Sequence, residues 1–251
     1  MRRRIAVFTE GQTEQVLVRH IVLRVVDNSK LGFLCLRISG KQHERVPYSY
    51  GDENSETYIV MLNVGNDESV ITAVQDRKQG LTKKGFQIIA LRDIYSEEYL
   101  RQAGRCMKQS VVEKMIRSKE EQFDKSTYGS QASLHFAVME VEAWYLGMYE
   151  LLEKIHSTLT ADFVESKTGL KLADLDPQSK FVHPSSVLDS LLRLVGDKYK
   201  KNRKDAERFA SLVTVEYLQT ATGKGRCSHL KQFLATLLNA VGRDDIAHAF
   251  E

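Results

Sequence analysis

Apolar side chains cluster into five short runs over the first 140 residues, and polar or glycine-containing segments separate these runs. Apolar runs of about four to eight residues are typical of buried β-strands. A longer polar loop is expected at residues 40–56, between the second run and the third. The predicted strands cover residues 4–9, 33–38, 57–64, 86–91 and 134–139.

The segments between these strands have helical spacing. Apolar side chains recur three or four positions apart behind Thr13, which we predict as the N-cap of the first helix. Further helices are predicted for residues 68–84 and for residues 96–124, the latter interrupted near Gly104. Because strands alternate with helices, the pattern predicts an α/β fold with a mostly parallel sheet flanked by helices.

From about residue 156 onward the pattern is helical only. We therefore expect an α/β domain over residues 1–155, followed by an α-helical C-terminal region over residues 156–251. The helices predicted in that region cover residues 160–173, 185–202, 204–220 and 228–240.

Composition excludes several classes of protein. No apolar run approaches the ~20 residues that span a bilayer, and the run near the basic N-terminus is too short for a secretory signal. The three cysteines are scattered without a CxxC pair, which argues against a disulfide framework and a structural zinc site. We therefore predict a cytoplasmic protein with reduced thiols and no membrane partner. The formal net charge of +3 does not by itself indicate a partner.

Acidic residues follow three of the predicted strands: Glu10 the first, Asp93 the fourth, and Glu140 and Glu142 the fifth. Because ligands bind beyond the carboxyl ends of parallel strands, these side chains are expected to converge. Their like charges repel unless a cation neutralises them, and Mg²⁺ or Mn²⁺ prefers oxygen ligands. The pattern predicts such an ion, whereas each acid taken alone is more typical of a solvated loop or a helix cap than of a metal ligand.

The positions of three of these acids suggest different roles. Glu142 lies at the junction of the fifth strand and the next helix, so we favour it over Glu140 as a metal ligand. One of this pair could instead cap that helix. Glu14 lies one helical turn beyond Glu10, where it either orients the site or supports only the first turn of its own helix.

Three segments resemble the Toprim superfamily. They are AVFTEGQTEQVLVRHIV, QIIALRDIYSEE and LHFAVMEVEAWYLG, and together they cover roughly residues 1–150. The last is similar to small stand-alone bacterial Toprim families encoded beside ABC-type ATPases in anti-phage loci. The resemblance implies Mg²⁺-dependent phosphodiester chemistry, with Glu10 as the catalytic and metal-binding glutamate and Asp93 as the first aspartate of an Asp-x-Asp pair.

The sequence departs from the Toprim pattern at the second aspartate, because Tyr95 stands at that position. Glu97 or Glu142 could supply the missing carboxylate. Alternatively, the site binds one metal ion weakly or has lost its chemistry.

Basic residues concentrate in two segments of the helical region, residues 197–208 and 222–231. Such runs are usually solvated helix faces, but in a phosphodiesterase they would suit contacts to the nucleic-acid backbone. Tyr199 could stack on a base. The residues predicted to contact nucleic acid are Lys200, Lys201, Arg203, Lys204, Lys224 and Arg226.

Together these observations predict a metal-dependent nuclease that acts on DNA or RNA, with Glu10, Glu14, Asp93 and Glu142 as catalytic residues. The resemblance adds an anti-phage or toxin-like role and an ABC-type ATPase partner, and it is compatible with a homo-oligomer. One alternative is a non-catalytic Toprim-shaped module that binds nucleic acid or a partner. Another is a primase-like nucleotidyl transferase.

Overall fold

The predicted strands assemble into a single mixed sheet in a computed structural model, which describes residues 2–39, 42–47, 49–65, 69–124 and 131–250. Within these ranges the sheet has six strands in the order β3-β2-β4-β1-β5-β6. The strands are β1 (Arg3–Thr9), β2 (Leu31–Ser39), β3 (Gln42–Arg45), β4 (Thr57–Asn63), β5 (Gln87–Asp93) and β6 (Ala132–Ala137).

The sheet is parallel except at one edge. β1 lies in the centre, where Ala6 pairs with Val60 of β4 on one side and with Ile88 of β5 on the other. β6 continues the parallel order, so that Asp93 pairs with Ala137. The carboxyl ends of β1, β5 and β6 therefore meet at the same edge of the sheet, as the α/β prediction requires.

The prediction of a continuous loop over residues 40–56 is wrong in part, because β3 lies within it and pairs antiparallel with β2. All four residues of β3 are exposed. An exposed edge strand has no apolar alternation, so hydrophobic spacing gives no signal for it. An ordinary cross-strand pair of opposite charge, Arg37 and Glu44, lies in this pairing.

Helices cover both faces of the sheet. The first begins behind Gly11, which is the N-cap in place of the predicted Thr13. The helices are α1 (Gln12–Val25), α2 (Ser69–Lys83), α3 (Glu97–Ala103), α4 (Gln109–Asp124), α5 (Glu142–Gly147), α6 (Glu150–Ile155), α7 (Ala161–Thr168), α8 (Pro177–Lys180), α9 (Pro184–Arg193), α10 (Arg203–Ala210), α11 (Val215–Thr222), α12 (Ser228–Ala240) and α13 (Asp244–Ala247).

Several helices of the C-terminal region are shorter than predicted. The helix at 160–173 ends before Gly169, whose φ of 73° is left-handed. The segment 204–220 contains two helices, because Thr214 caps a new one. The helix predicted over 185–202 ends at Arg193. The residues that follow it run to the carboxyl edge of the sheet, where Lys201 contacts the acidic residues described below.

The face of the sheet covered by α1 shares its core with the helical region. Val7, Leu17, Trp144 and Leu234 belong to one continuous cluster of buried side chains. α10 packs along α1, where the Nε2 atom of His20 lies 2.7 Å from a Glu207 carboxylate oxygen. α2 covers the opposite face of the sheet over a separate cluster. The division at residue 155 stays a prediction. No helix in the described ranges is long and apolar enough to cross a membrane.

Candidate metal centre

The ends of β1 and β5 are joined through Glu10. Its Oε2 atom accepts a hydrogen bond of 3.0 Å from the backbone N–H of Asp93. The two strands are hydrogen-bonded neighbours up to the pair Thr9 and Leu91, so their carboxyl ends cannot drift apart. The parallel sheet therefore places the Glu10 carboxylate beside Asp93, as the sequence pattern predicts.

Glu14 lies within the same edge of the sheet and not on the solvated face of its helix. It is buried, and its Oε2 atom accepts a hydrogen bond of 2.9 Å from the N–H of Gly11, the N-cap of α1. The φ of Gly11 is −132°, which any residue adopts, but a Cβ atom there would lie 2.8 Å from Glu14 Oε2. A larger residue at this position would require the Glu14 carboxylate to shift.

Asp93 is 5% exposed, and its Oδ1 atom has no hydrogen-bond partner among the described residues. Burial raises the pKa of Asp93 well above its usual range, and the neighbouring charges of Glu14, Glu10 and Glu142 raise it further. A buried carboxylate oxygen without a hydrogen-bond partner lowers the stability of the folded protein. Such an atom is suited to binding a cation.

Glu142 is the first residue of α5 and is fully buried. Its Oε1 atom accepts a hydrogen bond of 2.8 Å from the hydroxyl of Tyr199, and its Oε2 atom lies 3.5 Å from Lys201 Nζ. Burial raises the pKa of Glu142 to about 7, and Glu140 and Glu14 also raise it, whereas Lys201 lowers it. The predicted position of Glu142 inside the acidic site agrees with these contacts.

Glu140 also faces this site but is held differently. Its Oε2 atom accepts a hydrogen bond of 2.8 Å from the N–H of Ser185, and its Oε1 atom accepts bonds from Ser185 Oγ at 3.0 Å and from Lys201 Nζ at 3.1 Å. The preceding residue, Met139, has a left-handed φ of 63°, a conformation that is strained for a residue with a side chain. This turn points Glu140 and Glu142 at the same ammonium group.

Lys201 is the cation of the site. Its φ of 51° is also left-handed, and its side chain is 41% exposed. Burial lowers the pKa of Lys201, but Glu142, Asp93, Glu140 and Glu14 together raise it more, so the ammonium stays charged. The sequence pattern assigned Lys201 to nucleic-acid contacts, and no spacing rule links it to acids 60 residues earlier in the chain.

The fit of a divalent cation depends on the donor set. Asp93, Glu10, Glu14, Glu140 and Glu142 offer only oxygen donors, which suits Mg²⁺ or Mn²⁺. Asp93 Oδ1 is buried without a hydrogen-bond partner in the described part of the chain. In the same ranges, no three of these side chains lie in an arrangement that could hold one metal ion without rearrangement. The donor chemistry fits the ion, and binding would require the carboxylates that now face Lys201 to turn.

Two residues at or near the second Toprim motif, Tyr95 and Glu97, add no carboxylate to the buried acids. Glu97 is exposed in the first turn of α3, with no part in the contacts that hold Asp93. The hydroxyl of Tyr95 lies 3.3 Å from Nε2 of His183. Glu97 as a replacement ligand is therefore not supported, and the carboxylates beside Asp93 are those of Glu10, Glu14 and Glu142.

The predicted basic contacts divide into exposed and buried residues. Lys200 and Lys204 line a polar surface cavity of about 340 Å³, and Arg203 and Lys224 are exposed. The prediction for Arg226 is wrong, because its guanidinium is buried and donates hydrogen bonds to the carbonyls of Leu175, Leu172 and Gly147.

Tyr199 is not a stacking surface for a base. It is 7% exposed, its hydroxyl holds Glu142, and its ring packs edge-on against Phe209. Sequence spacing could not show this, because the tyrosine lies in a charged segment and its ring is buried only by the fold.

Comparison with known proteins finds no family model and no curated protein that matches the chain. Among solved structures, the chain is similar to the C-terminal region of the Burkholderia pseudomallei OLD protein. That likeness has a TM-score of 0.39 and 13% sequence identity, and it covers 96% of this chain and 100% of that chain. A likeness this weak assigns no activity, so a function must be argued from the site.

Proposed function

We propose that the chain is a metal-dependent phosphodiesterase that acts as a nuclease on DNA or RNA. The observation that carries this proposal is the convergence of Glu10, Glu14, Asp93 and Glu142 at the carboxyl edge of the sheet. Burying several carboxylates together is costly. We therefore infer that the cluster is functional and that it binds a hard cation, which offsets its negative charge.

Asp93, Glu10 and Glu142 are the residues that would hold Mg²⁺ or Mn²⁺, with Glu140 as a further candidate. When bound, such an ion polarises a phosphate and lowers the pKa of a coordinated water. Glu14 acts as a positioning residue, because its hydrogen bond to Gly11 fixes the turn that carries Glu10. These assignments match the Toprim-like motifs of the sequence.

Lys201 supplies the positive charge that the chain itself brings to the site. Its ammonium lies 3.1 Å from Glu140 and 3.5 Å from Glu142, and its side chain is partly exposed. A phosphate that enters the site would meet this ammonium, which donates hydrogen bonds to anionic oxygens. Lys201 would then bind the substrate's negative charge while the carboxylates bind the metal.

The segment that carries Lys201 also carries the basic surface. Lys198, Lys200, Lys204 and Arg208 line the polar cavity beside it, together with Asp197 and Asp205. One of these cations, Arg208, is paired with Asp197, so Lys198, Lys200 and Lys204 are the better candidates for backbone phosphates. A strand of nucleic acid bound along this segment would pass the acidic centre.

Cleavage of labelled DNA and RNA with Mg²⁺, Mn²⁺ or EDTA tests the proposal. Glu10→Ala and Asp93→Ala should abolish metal-dependent cleavage, while Glu97→Ala, an exposed acid on α3, should leave it unchanged. Cleavage that survives both of the first two substitutions would rule out this site.

The alternative of a non-catalytic binding module is favoured by Tyr95 at the second aspartate position and by the pairing of Lys201 with Glu140 and Glu142. It predicts nucleic-acid binding without cleavage under any metal condition. A primase-like activity would instead extend a strand when nucleotides are added. A cytoplasmic location rests on composition, and an anti-phage or toxin-like role with an ABC-type ATPase partner rests on the sequence resemblance alone.

A further inference from the structure

Two aromatic side chains stand beside the acidic centre. Tyr95 lies two residues after Asp93, and its ring centroid lies 4.5 Å from that of His183 at an interplanar angle of 59°. The Tyr95 hydroxyl lies 3.3 Å from His183 Nε2. Both side chains are half-buried, so part of each ring is accessible.

Short connections fix both rings to groups that hold the carboxylates. Ser185, two residues after His183, donates its N–H and its hydroxyl to Glu140. The N–H of Tyr95 donates a hydrogen bond of 2.9 Å to the carbonyl of Met139, the residue before Glu140. The aromatic pair is therefore positioned by the same contacts that position the acidic centre.

An apolar groove of about 400 Å³ adjoins this pair at His183. His183 lines it together with four half-buried apolar side chains and the buried Leu191, and the exposed Lys180 adds a cation to its lining. An aromatic and apolar wall with a cationic edge is complementary to a nucleobase carried on a phosphate backbone. The apolar lining residues are Leu170, Phe181, Val182, Val187 and Leu191.

We infer that the Tyr95–His183 pair and the adjoining groove bind a nucleobase of the strand whose phosphodiester reaches the acidic centre. The inference rests on the proposed nuclease function and adds a base-binding subsite to it. A base stacked there has left its pairing partner, so the substrate is single-stranded or locally unpaired nucleic acid. Tyr95 thus binds a base at the position where the Toprim pattern has a carboxylate.

Binding of two DNA hexanucleotides of equal charge tests this subsite. One carries 2-aminopurine among ordinary bases, and the other is abasic at every position. Binding is measured by fluorescence anisotropy of an end label with Ca²⁺ in place of Mg²⁺, and stacking is measured by quenching of 2-aminopurine. The variants are Tyr95→Phe, which keeps the ring, and Tyr95→Leu and His183→Ala, which remove one ring each.

Tyr58→Leu is the matched control, because Tyr58 is also half-buried but lies near the start of β4, at the opposite edge of the sheet. We expect the wild type to bind the base-containing strand about 5- to 150-fold more tightly than the abasic strand. Tyr95→Phe and Tyr58→Leu should keep most of this preference and the quenching. Tyr95→Leu, which keeps an apolar side chain against its neighbours, should lose most of both.

Equal affinity of the wild type for the two strands would overturn the inference, and so would an undiminished preference in folded Tyr95→Leu and His183→Ala. Neither result would affect the proposed function if the wild type still cleaves nucleic acid. Failure of the wild type to bind either strand would overturn the inference, and failure to cleave both DNA and RNA with Mg²⁺ or Mn²⁺ would overturn the proposed function as well. Because the comparison of the two strands uses the wild type, the test does not depend on the folding of any variant.

Discussion

The Oε2 atom of Glu10 accepts a hydrogen bond of 3.0 Å from the backbone N–H of Asp93, and this bond joins residues 83 positions apart in the sequence. It holds one carboxylate against the residue that carries another. Glu14 and Glu142 also act on the charge of Asp93. The fold therefore concentrates negative charge where the proposed reaction would use it. Because these charges repel one another, the acidic site should lower the free energy of unfolding of the metal-free protein.

Asp93→Asn should make the metal-free protein more stable at pH 7. The substitution removes an acid whose ionised form is disfavoured by burial and by the charges of Glu14 and Glu10, and we expect a gain of about 0.5–2 kcal/mol in the free energy of unfolding. Urea denaturation in EDTA measures it. Asp189→Asn is the matched control. It should lower the free energy of unfolding, because Asp189 is paired with Arg193 and accepts a hydrogen bond from the Tyr199 N–H. A less stable Asp93→Asn would contradict the account.

The stability of the metal-free protein should fall between pH 5 and pH 7.5 because of Glu142. Its pKa is about 7 in the folded protein against an ordinary value of 4.5. The folded state therefore binds more protons in this window than the unfolded state, and stability is lost as pH rises through the folded pKa. The loss from Glu142 is about 3 kcal/mol at most.

Glu142→Gln should remove this part of the pH dependence while keeping an acceptor for the Tyr199 hydroxyl. Urea denaturation at pH 5 and pH 7.5 in EDTA measures the difference between the variant and the wild type. Glu97→Gln, at an exposed acid, should follow the wild type at both pH values. Parallel curves for the wild type and Glu142→Gln would show that Glu142 is not the group that titrates.

Much of the fold follows from the sequence because the central strands are short apolar runs and the helices between them have regular spacing. The acids at the ends of β1, β5 and β6 were also predictable, since parallel strands present their carboxyl ends at one edge. β3 was not predictable from hydrophobic spacing, because all four of its side chains are exposed.

The partners of the acids could not be read from the sequence. Lys201 and Tyr199 reach Glu142 from a charged segment whose spacing resembles a solvated helix. Arg226 lies in a similar basic segment but is buried against backbone carbonyls. Basic residues in two similar segments thus have opposite exposures, and only tertiary packing decides which of them faces the acids, the backbone or the solvent.

Gly11→Ala should disturb the site through Glu14. The added Cβ would lie 2.8 Å from Glu14 Oε2, so the carboxylate must move, and we expect this to weaken its hydrogen bond to the Gly11 N–H. We expect a loss of about 0.5–2 kcal/mol in the free energy of unfolding, as for other helix caps, together with slower cleavage. Urea denaturation and the cleavage assay measure the two effects on the same preparation.

Gly80→Ala is the control for Gly11→Ala, because Gly80 lies inside α2 with no atom within 4 Å of an added Cβ. It should stabilise the protein by about 0.5–1 kcal/mol and leave cleavage unchanged. If Gly11→Ala matched Gly80→Ala in both measurements, Glu14 would have no positioning role.

Lys201→Met should destabilise the metal-free protein, because it leaves Glu142 buried without its cation. Removing one partner of a fully buried ion pair costs about 3–5 kcal/mol, and the 41% exposure of Lys201 reduces our expectation to about 1–2 kcal/mol. Millimolar Mg²⁺ should then raise the Tm of the variant more than that of the wild type, since the ion replaces the lost charge.

Lys200→Met is the neighbouring control for this substitution. Lys200 is exposed, and its backbone N–H, which the substitution keeps, makes the bond to Asp205. Its stability should stay within about 0.5 kcal/mol of the wild type, and its response to Mg²⁺ should be that of the wild type. An equal Mg²⁺ response in Lys201→Met and Lys200→Met would count against a cation site beside Glu142.

Binding of Mn²⁺ to the metal-free protein tests the central claim most directly, namely that carboxylates from three strand ends hold a divalent cation. Isothermal titration calorimetry at pH 7.5 would compare the wild type with Glu10→Gln and Asp93→Asn, which remove a charge with little change in volume. We predict saturable binding to the wild type and its loss in both folded variants. No binding to the wild type, or equal binding to all three proteins, would contradict the account.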